Sequence, residues 1–361
     1  MSKQKICFIA QFPPPIHGLS KAVDTLYKSE LSKEFEFEKA DITNNFDFLK
    51  NLKIISESKA DLFYFTISQT RGGNLRDLAI LKMLYMQHKR CLIHLHGGYY
   101  RTLVDFNLPK WQKILNYKAV SRIDGAIVLG SSLKWIFRGM LPENKIYVVP
   151  NCVDDIYLMT DEEFKEKMDG LTKRKVKHVL YLSNFIRSKG YPEVLEMAKL
   201  EKERVEAGGK RKFHFDFAGQ FLKKKEKSFF YNYIKENGIE DYVTYHGVVD
   251  GKQKKMLLKM CDIFALITRY PNEGQPISIL EAMGNGMMIV TTNHAGIPDI
   301  VKNGMNGIVV DENSSANTIY DQLHCSPEVL LRNRIFIRGF TESIYVKNMR
   351  TVFTEVIKRG I

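Results

Sequence analysis

The sequence predicts an α/β protein made of two doubly wound halves, each a parallel sheet with helices between its strands. Three observations predict it. Apolar runs of three to six residues alternate with helical patterns over residues 6–149, and the alternation resumes over 179–310. Such alternation makes βαβ units and parallel sheets. It breaks once, at Pro150-Asn151-Cys152-Val153-Asp154, and 361 residues exceed what one core usually supports.

Taken in order, the first strand is Ile6–Ala10. With the preceding Met-Ser-Lys-Gln-Lys it resembles a signal peptide, but it is too short for one and runs into Phe12-Pro13-Pro14-Pro15. Ser20 then suits the N-cap of a helix over Lys21–Leu31. Strands follow at Leu62–Ile67, Cys91–Leu95, Gly125–Leu129 and Ile146–Val149. Helices are predicted at Arg76–His88 and Pro109–Ser121, the second from Trp111, Ile114, Leu115, Tyr117 and Ile123 near helical spacing. The charged stretch Asp161–Lys177 reads as surface. The second series of strands is Val179–Leu182, Phe213–Ala218, Val243–Tyr245, Ile263–Ile267, Met288–Thr291 and Gly307–Val310, with helices Tyr191–Glu206 and Glu226–Glu236 between them. Domains are therefore expected at 1–165 and 166–340, followed by a last helix near Tyr345–Lys358.

Composition excludes several classes. Five scattered cysteines with no C-x-x-C pair argue against a disulfide framework or zinc site and for a reducing, cytoplasmic setting. No apolar run reaches the length of a membrane span. The net charge is +13, of which residues 1–160 carry +7, so the excess is spread and is not a nucleic-acid tail. It is densest over 101–140, where seven basic residues meet only Asp105 and Asp124 among Phe106, Trp111, Tyr117, Trp135 and Phe137. That mixture suits an anionic membrane surface at the inner face of a cell membrane. Nucleic acid is not expected, because no recognition helix or stacking motif accompanies the charge.

Four segments carry chemistry. Residues 269–286 read R-Y-P-N-E-G-Q-P-I-S-I-L-E-A-M-G-N-G. The order is strand, loop with Glu273, then a helix whose second turn holds Glu281, which is where open α/β sheets bind ligands. A loop glutamate can accept hydrogen bonds from vicinal hydroxyls, and the N–H groups near Pro276 can face an anion. Asn184–Gly190, N-F-I-R-S-K-G, sets Arg187 and Lys189 at the end of a strand and ahead of a helix, a place for phosphate. His94-Leu95-His96-Gly97-Gly98 brings two histidines to one face at a strand end. Pro13–Ser20 places Gly18 in the loop after the first strand, where the backbone can approach a ligand.

With Glu273 and Glu281 eight apart inside E-G-x-P-x-x-x-L-E-A-M-x-x-G, the chain resembles the large retaining glycosyltransferase family of GT-B fold. The resemblance covers most of the chain. It implies two Rossmann-like domains with a cleft between them, an acceptor-binding one first and a nucleotide-sugar-binding one second, and a last helix, about 341–361, packed back on the first. Pro150–Asp154 resembles the P-N-G-V-D hinge with Cys152 in the glycine position. Thr292–Asp299 resembles G-G-x-P-E, with Ala295 and Asp299 as departures, and Ser183-Asn184 stands where Gly-Arg is frequent.

The resemblance implies roles. Glu281 would hold ribose hydroxyls, and Lys189 with Arg187 the diphosphate. Gly18, Gly274, Gln275, Pro276 and Ile277 would lie along the donor, Glu273 would face its sugar, and His96 would serve the reaction; His17 and His94 stand nearby. The donor would be a UDP- or GDP-sugar, UDP by preference, and the acceptor a glycan or lipid-diphosphate-linked glycan of bacterial capsule or exopolysaccharide. No cofactor or metal is expected. Rival readings are a hydrolysing sugar-nucleotide epimerase and a non-catalytic partner subunit of a transferase.

Overall fold

The computed structural model describes residues 3–14 and 18–359, so His17 lies outside the described residues. The chain divides into two compact units. The first comprises Met1–Cys152, Pro271–Gln275 and Glu342–Ile361; the second comprises Val153–Tyr270 and Pro276–Thr341.

In the first unit, strands β1 (Lys5–Ala10), β2 (Glu36–Asp41), β3 (Leu62–Thr66), β4 (Cys91–His94), β5 (Gly125–Val128) and β6 (Ile146–Val148) form one parallel sheet in the order β2-β1-β3-β4-β5-β6. Helices α1 (Gly18–Tyr27), α2 (Phe48–Glu57), α3 (Arg71–Met86), the single turn α4 (Tyr100–Thr102) and α5 (Lys110–Val120) connect them. β1, β3, β4 and β5 are buried along nearly their whole length, as continuous apolar runs in a parallel sheet require. The strand with no counterpart in the sequence reading is β2, Glu-Phe-Glu-Lys-Ala-Asp. It is an edge strand whose Glu36 and Glu38 both pair with Lys5 of β1, at 2.9 and 3.1 Å. Charge on an edge blocks further pairing and also disguises the strand. α1 is already helical at Gly18, so Ser20 lies inside its first turn, buried, and does not cap it.

The second unit opens with α6 (Asp161–Leu171), started by a Thr160–Glu163 capping box. The charged stretch expected at the surface is thus a docked helix, with Phe164, Lys167 and Leu171 buried. Strands β7 (Lys177–Leu182), β8 (Phe213–Ala218), β9 (Val243–Tyr245), β10 (Ile263–Leu266), β11 (Met288–Thr292) and β12 (Gly307–Val310) make a second parallel sheet, ordered β12-β11-β10-β7-β8-β9. Helices α7 (Tyr191–Glu206), α8 (Lys224–Asn237), α9 (Gly251–Met260), α10 (Ile277–Gly284), α11 (Ala316–Asp321) and α12 (Pro327–Phe336) complete it. The two sheets differ in winding. The first runs 2-1-3-4-5-6, with its reversal between β1 and β3; the second runs 3-2-1-4-5-6, with its reversal between β7 and β10. Ligand sites form beyond the carboxyl ends of strands at such reversals.

The last helix, α13 (Glu342–Lys358), belongs to the first unit. Its Tyr345, Val346, Met349, Val352, Phe353, Val356 and Ile357 join Phe8, Leu62, Tyr64, Leu92 and Ile127 in one apolar cluster. The spacing is that of a single helical stripe. No helix among the described residues is long and apolar enough to cross a membrane.

Candidate functional site

At the reversal of the second sheet, the chain leaves β7, makes a 3₁₀ turn over Arg187–Lys189 and enters α7 through Gly190 at φ 84°. A Cβ on residue 190 would stand 2.4 Å from the carbonyl oxygen of Ile267, just past β10. Glycine is required there both by the left-handed backbone and by this close approach. The Arg269 N–H donates to the carbonyl of Ser188, closing the two loops together. Lys189 thereby sits with Nζ 5.1 Å from the centre of the Tyr270 ring. Tyr270 is itself held, because His294 Nε2 lies 2.8 Å from its carbonyl oxygen and His294 Nδ1 lies 2.9 Å from Glu312. Arg187 reaches Glu226 at 3.2 Å and stacks 4.0 Å over Phe229 while its side chain stays 56% exposed.

Beyond β10, α10 starts at Ile277 behind Pro276, with no side chain capping its first N–H groups. Those donors and the helix dipole favour an anion. Glu281, one turn further, is 3% exposed and accepts a 2.6 Å hydrogen bond from Lys254 Nζ of α9. Lys254 in turn lies 4.3 Å over the Tyr157 ring. The buried Lys167 fixes both helices: its Nζ donates to the carbonyls of Cys261, after α9, and Asn285, after α10, at 2.6 and 2.7 Å. A cation at two helix carboxyl termini meets orphan carbonyls and both dipoles. Burial, the leading cause, lowers the Lys167 pKa to about 8. Ala295 stands at φ 50°, the left-handed region natural to glycine, at the position where the resembled pattern carries glycine.

In the first unit, His94 ends β4 and His96 follows it, their rings stacked at 3.9 Å between centres and 32° apart. His94 is wholly buried, with Nδ1 2.7 Å from the Tyr64 hydroxyl. Burial, then the neighbouring His96, pushes the His94 pKa well below the usual histidine range. Burial likewise raises Tyr64 well above the phenol range, so the phenol keeps its proton and donates to Nδ1. Against these rings runs Pro271–Gln275. A Cβ on Gly274 would lie 2.4 Å from the His96 carbonyl oxygen, and one on Gly97 would lie 2.7 Å from that of Asn272. The Gln275 amide donates to the Leu129 carbonyl at 3.1 Å and accepts from the Asn151 N–H at 2.9 Å. Its main-chain carbonyl also accepts from Asn151 Nδ2 at 2.9 Å, so Gln275 is spent on holding the loop. Glu273, at the middle of this anchored loop, is 8% exposed. Gly18 opens α1 after the β1 loop.

The sequence reading named Glu273, Gly274, Gln275 and His96 separately; the structure brings them to one loop pair in the first unit. It brings Arg187, Lys189, Pro276, Ile277 and Glu281 to the sheet reversal of the second. Tyr64, Asn151, Lys167, Lys254 and His294 have no role in the sequence reading, because each acts on a residue remote in sequence. Among the described residues no cluster of three or more His, Cys, Asp or Glu side chains is arranged to hold a metal ion.

Comparison with known proteins bears on this arrangement. Residues 162–325 match the model of the family described as glycosyl transferases group 1. The chain is 23% identical over 280 residues to an uncharacterized 41.2 kDa protein in the cps region of Klebsiella pneumoniae, spanning 68% of this chain and 73% of that one. It is 31% identical over 83 residues to the amylovoran biosynthesis glycosyltransferase AmsK of Erwinia amylovora, spanning 22% of this chain and 20% of AmsK. Its structure resembles Anabaena Alr3699/HepE in complex with UDP, with a TM-score of 0.72 and 14% identity over 98% of this chain and all of that one. The same Anabaena protein has been solved with UDP-glucose.

Proposed function

We propose a specific task for this chain, which belongs to the group 1 glycosyltransferases and has their GT-B fold: it moves a hexose or N-acetylhexosamine from a UDP-sugar to a glycan or lipid-diphosphate-linked glycan, with retention, in bacterial surface polysaccharide synthesis. It works in the cytoplasm, at the inner face of the membrane. The first unit takes the acceptor and the second the nucleotide. The observation that carries the reading is the set of Lys189, Arg187, the uncapped start of α10 and the Lys254-paired Glu281 around one sheet reversal. Cations and helix N–H groups suit a diphosphate, and a carboxylate fixed in place by a lysine suits the vicinal hydroxyls of a ribose.

In the reaction the acceptor oxygen bonds to the anomeric carbon as the bond from that carbon to the phosphate oxygen breaks. The nucleoside diphosphate leaves with the electron pair, and the acceptor proton passes to the departing phosphate. Stabilising negative charge on the leaving group is the main catalytic need, and Lys189 and Arg187 meet it. Glu273 faces the positive charge that develops on the donor sugar. His96 lines the reacting end, and Gly18 and Gly274 let the main chain come close. UDP is favoured over GDP because UDP and UDP-glucose occupy the Anabaena relative. Genes for amylovoran and a cps region among the relatives support the polysaccharide setting.

The test is a thermal-shift series with UDP-, GDP- and ADP-sugars. A ligand present at a hundredfold its Kd adds about 2.7 kcal/mol of stability. UDP-sugars should give the largest rise in Tm; a flat response to all three classes would sink the donor assignment.

A further inference from the structure

Helix α5 of the first unit is turned inside out, and α3 beside it carries apolar side chains on its outer face as well. α5 buries Gln112, Asn116 and Val120, yet leaves Trp111 at 55%, Ile114 at 56% and Leu115 at 44% exposure. Phe106, just ahead of it, is 80% exposed. α3 buries Ile80, Leu81 and Leu84 together with Asn74 and Asp77, and exposes Leu75, Tyr85 and Met86. The inversion is pinned by a polar ladder between the helices. Asn74 Oδ1 accepts from Gln112 Nε2 at 2.8 Å and from Asn116 Nδ2 at 2.9 Å, and Asn74 Nδ2 donates to Asn116 Oδ1 at 2.8 Å. The Tyr100 hydroxyl completes it, donating to Asn116 at 2.9 Å. At the other end the Arg122 guanidinium lies 4.1 Å over the Tyr85 ring, joining the two helices into one face. Rotating α5 to bury its apolar residues would strand these amides without partners, at about 1–3 kcal/mol for each buried group.

Charge narrows what covers this face. The only acidic residue in the two helices is Asp77, buried and paired with Arg76 at 2.9 Å. The nearby Asp105 is taken by Arg101, Lys113 and Tyr117. The face therefore shows lysines at 82, 110 and 118 and no carboxylate of its own helices. A second copy of the chain would set like charge against like charge, which opposes pairing. A tryptophan and aliphatic side chains ringed by lysines match a bilayer interface, where the rings enter the acyl boundary and the ammonium groups reach phosphates.

We infer that the exposed face of α3 and α5 docks on an anionic lipid surface, with Trp111, Ile114, Leu115 and Phe106 inserted and Lys110 and Lys118 on the headgroups. The inference stands without the donor assignment, since no nucleotide takes part. The probe is a vesicle of equal parts phosphatidylglycerol and phosphatidylcholine, compared with phosphatidylcholine alone. The full chain should sediment with the anionic vesicles at low salt and be released as salt rises. In a Trp135→Phe background, Trp111 emission should move to shorter wavelength on binding. Lys110→Glu with Lys118→Glu should weaken partitioning by at least roughly fivefold per charge, and Ile114→Ser with Leu115→Ser should abolish the emission shift. All of these variants should keep the parent's thermal response to UDP, which separates lost docking from lost folding or a misplaced donor site. Failure of the parent to sediment at low salt overturns the inference. So does sedimentation that the substitutions leave unchanged, or a parent dimer that the serine variants turn into a monomer.

Discussion

Around Glu281, at the carboxyl edge of the second sheet, the candidate side chains are cations: Lys189 against Tyr270, Arg187 over Phe229, and Lys254 on Glu281 itself. At the carboxyl edge of the first sheet they are a stacked histidine pair, a protonated phenol and one loop glutamate. Both edges terminate six parallel strands. What differs is the use of charge. The second unit presents formal charge; in the first, burial holds His94 and Tyr64 neutral and the loop carries one carboxylate, Glu273. In the function proposed above, one edge serves affinity and the other turnover.

The largest effect should come from Glu273→Gln, which keeps the shape and removes the charge. Turnover should fall on the order of 100-fold, as for loss of one transition-state stabiliser, with UDP affinity nearly unchanged. Steady-state kinetics beside calorimetric titration would read both, and an equal loss of affinity would collapse the contrast between the edges. Next, Lys189→Ala should weaken UDP binding by about 1–3 kcal/mol, the worth of a hydrogen bond to a charged group. A variant that binds UDP like the parent would place the diphosphate elsewhere.

A third test sharpens the claim of neutral rings. His94 has a folded pKa below its unfolded value of about 6.5, so the folded state resists a proton that the unfolded chain accepts. Stability is then full above that pH and is lost below it, by about 1.4 kcal/mol per pH unit for this group. His94→Gln, which can still accept from Tyr64, should flatten the fall in Tm between neutral pH and pH 5. His214, also lowered by burial, acts in the same direction and stays in the variant. An unchanged slope would mean that His94 already titrates in the folded protein. The smallest effect belongs to Lys254→Met. UDP binding should weaken by about 1 kcal/mol, because the Glu281 carboxylate loses the ammonium that fixes its position. Calorimetric titration with UDP would detect it.

Much of this was legible in the chain. Eleven of the twelve strands read directly as apolar runs, because buried parallel strands need no polar face. β2 did not, since its edge position is written in charges. The glutamates, Lys189 and His96 stand out as candidates in the sequence because loop glycines and strand ends mark them locally. Lys254 and Lys167 were not, because what defines them is a partner on another helix: Glu281 for one, and the Cys261 and Asn285 carbonyls for the other. α5 is the instructive case. Trp111, Ile114 and Leu115 gave the right helix, but helical spacing says only that a stripe exists, and the Asn74–Gln112–Asn116 ladder decides that it faces out.

The membership of α13 in the first unit carries a consequence for synthesis. On the ribosome, some 190 residues separate Cys152 from the start of α13, a wait of roughly 10–40 s at ordinary elongation rates. Until then the face of the first sheet that will receive Tyr345, Met349 and Phe353 is uncovered, and Tyr64 has not met the Tyr345 side chain that neighbours its hydroxyl. A chain that stops before α13 therefore lacks that cover, and the second unit, whose last residue is Thr341, does not supply it. The open apolar surface of such a chain is one that chaperones or proteases can meet.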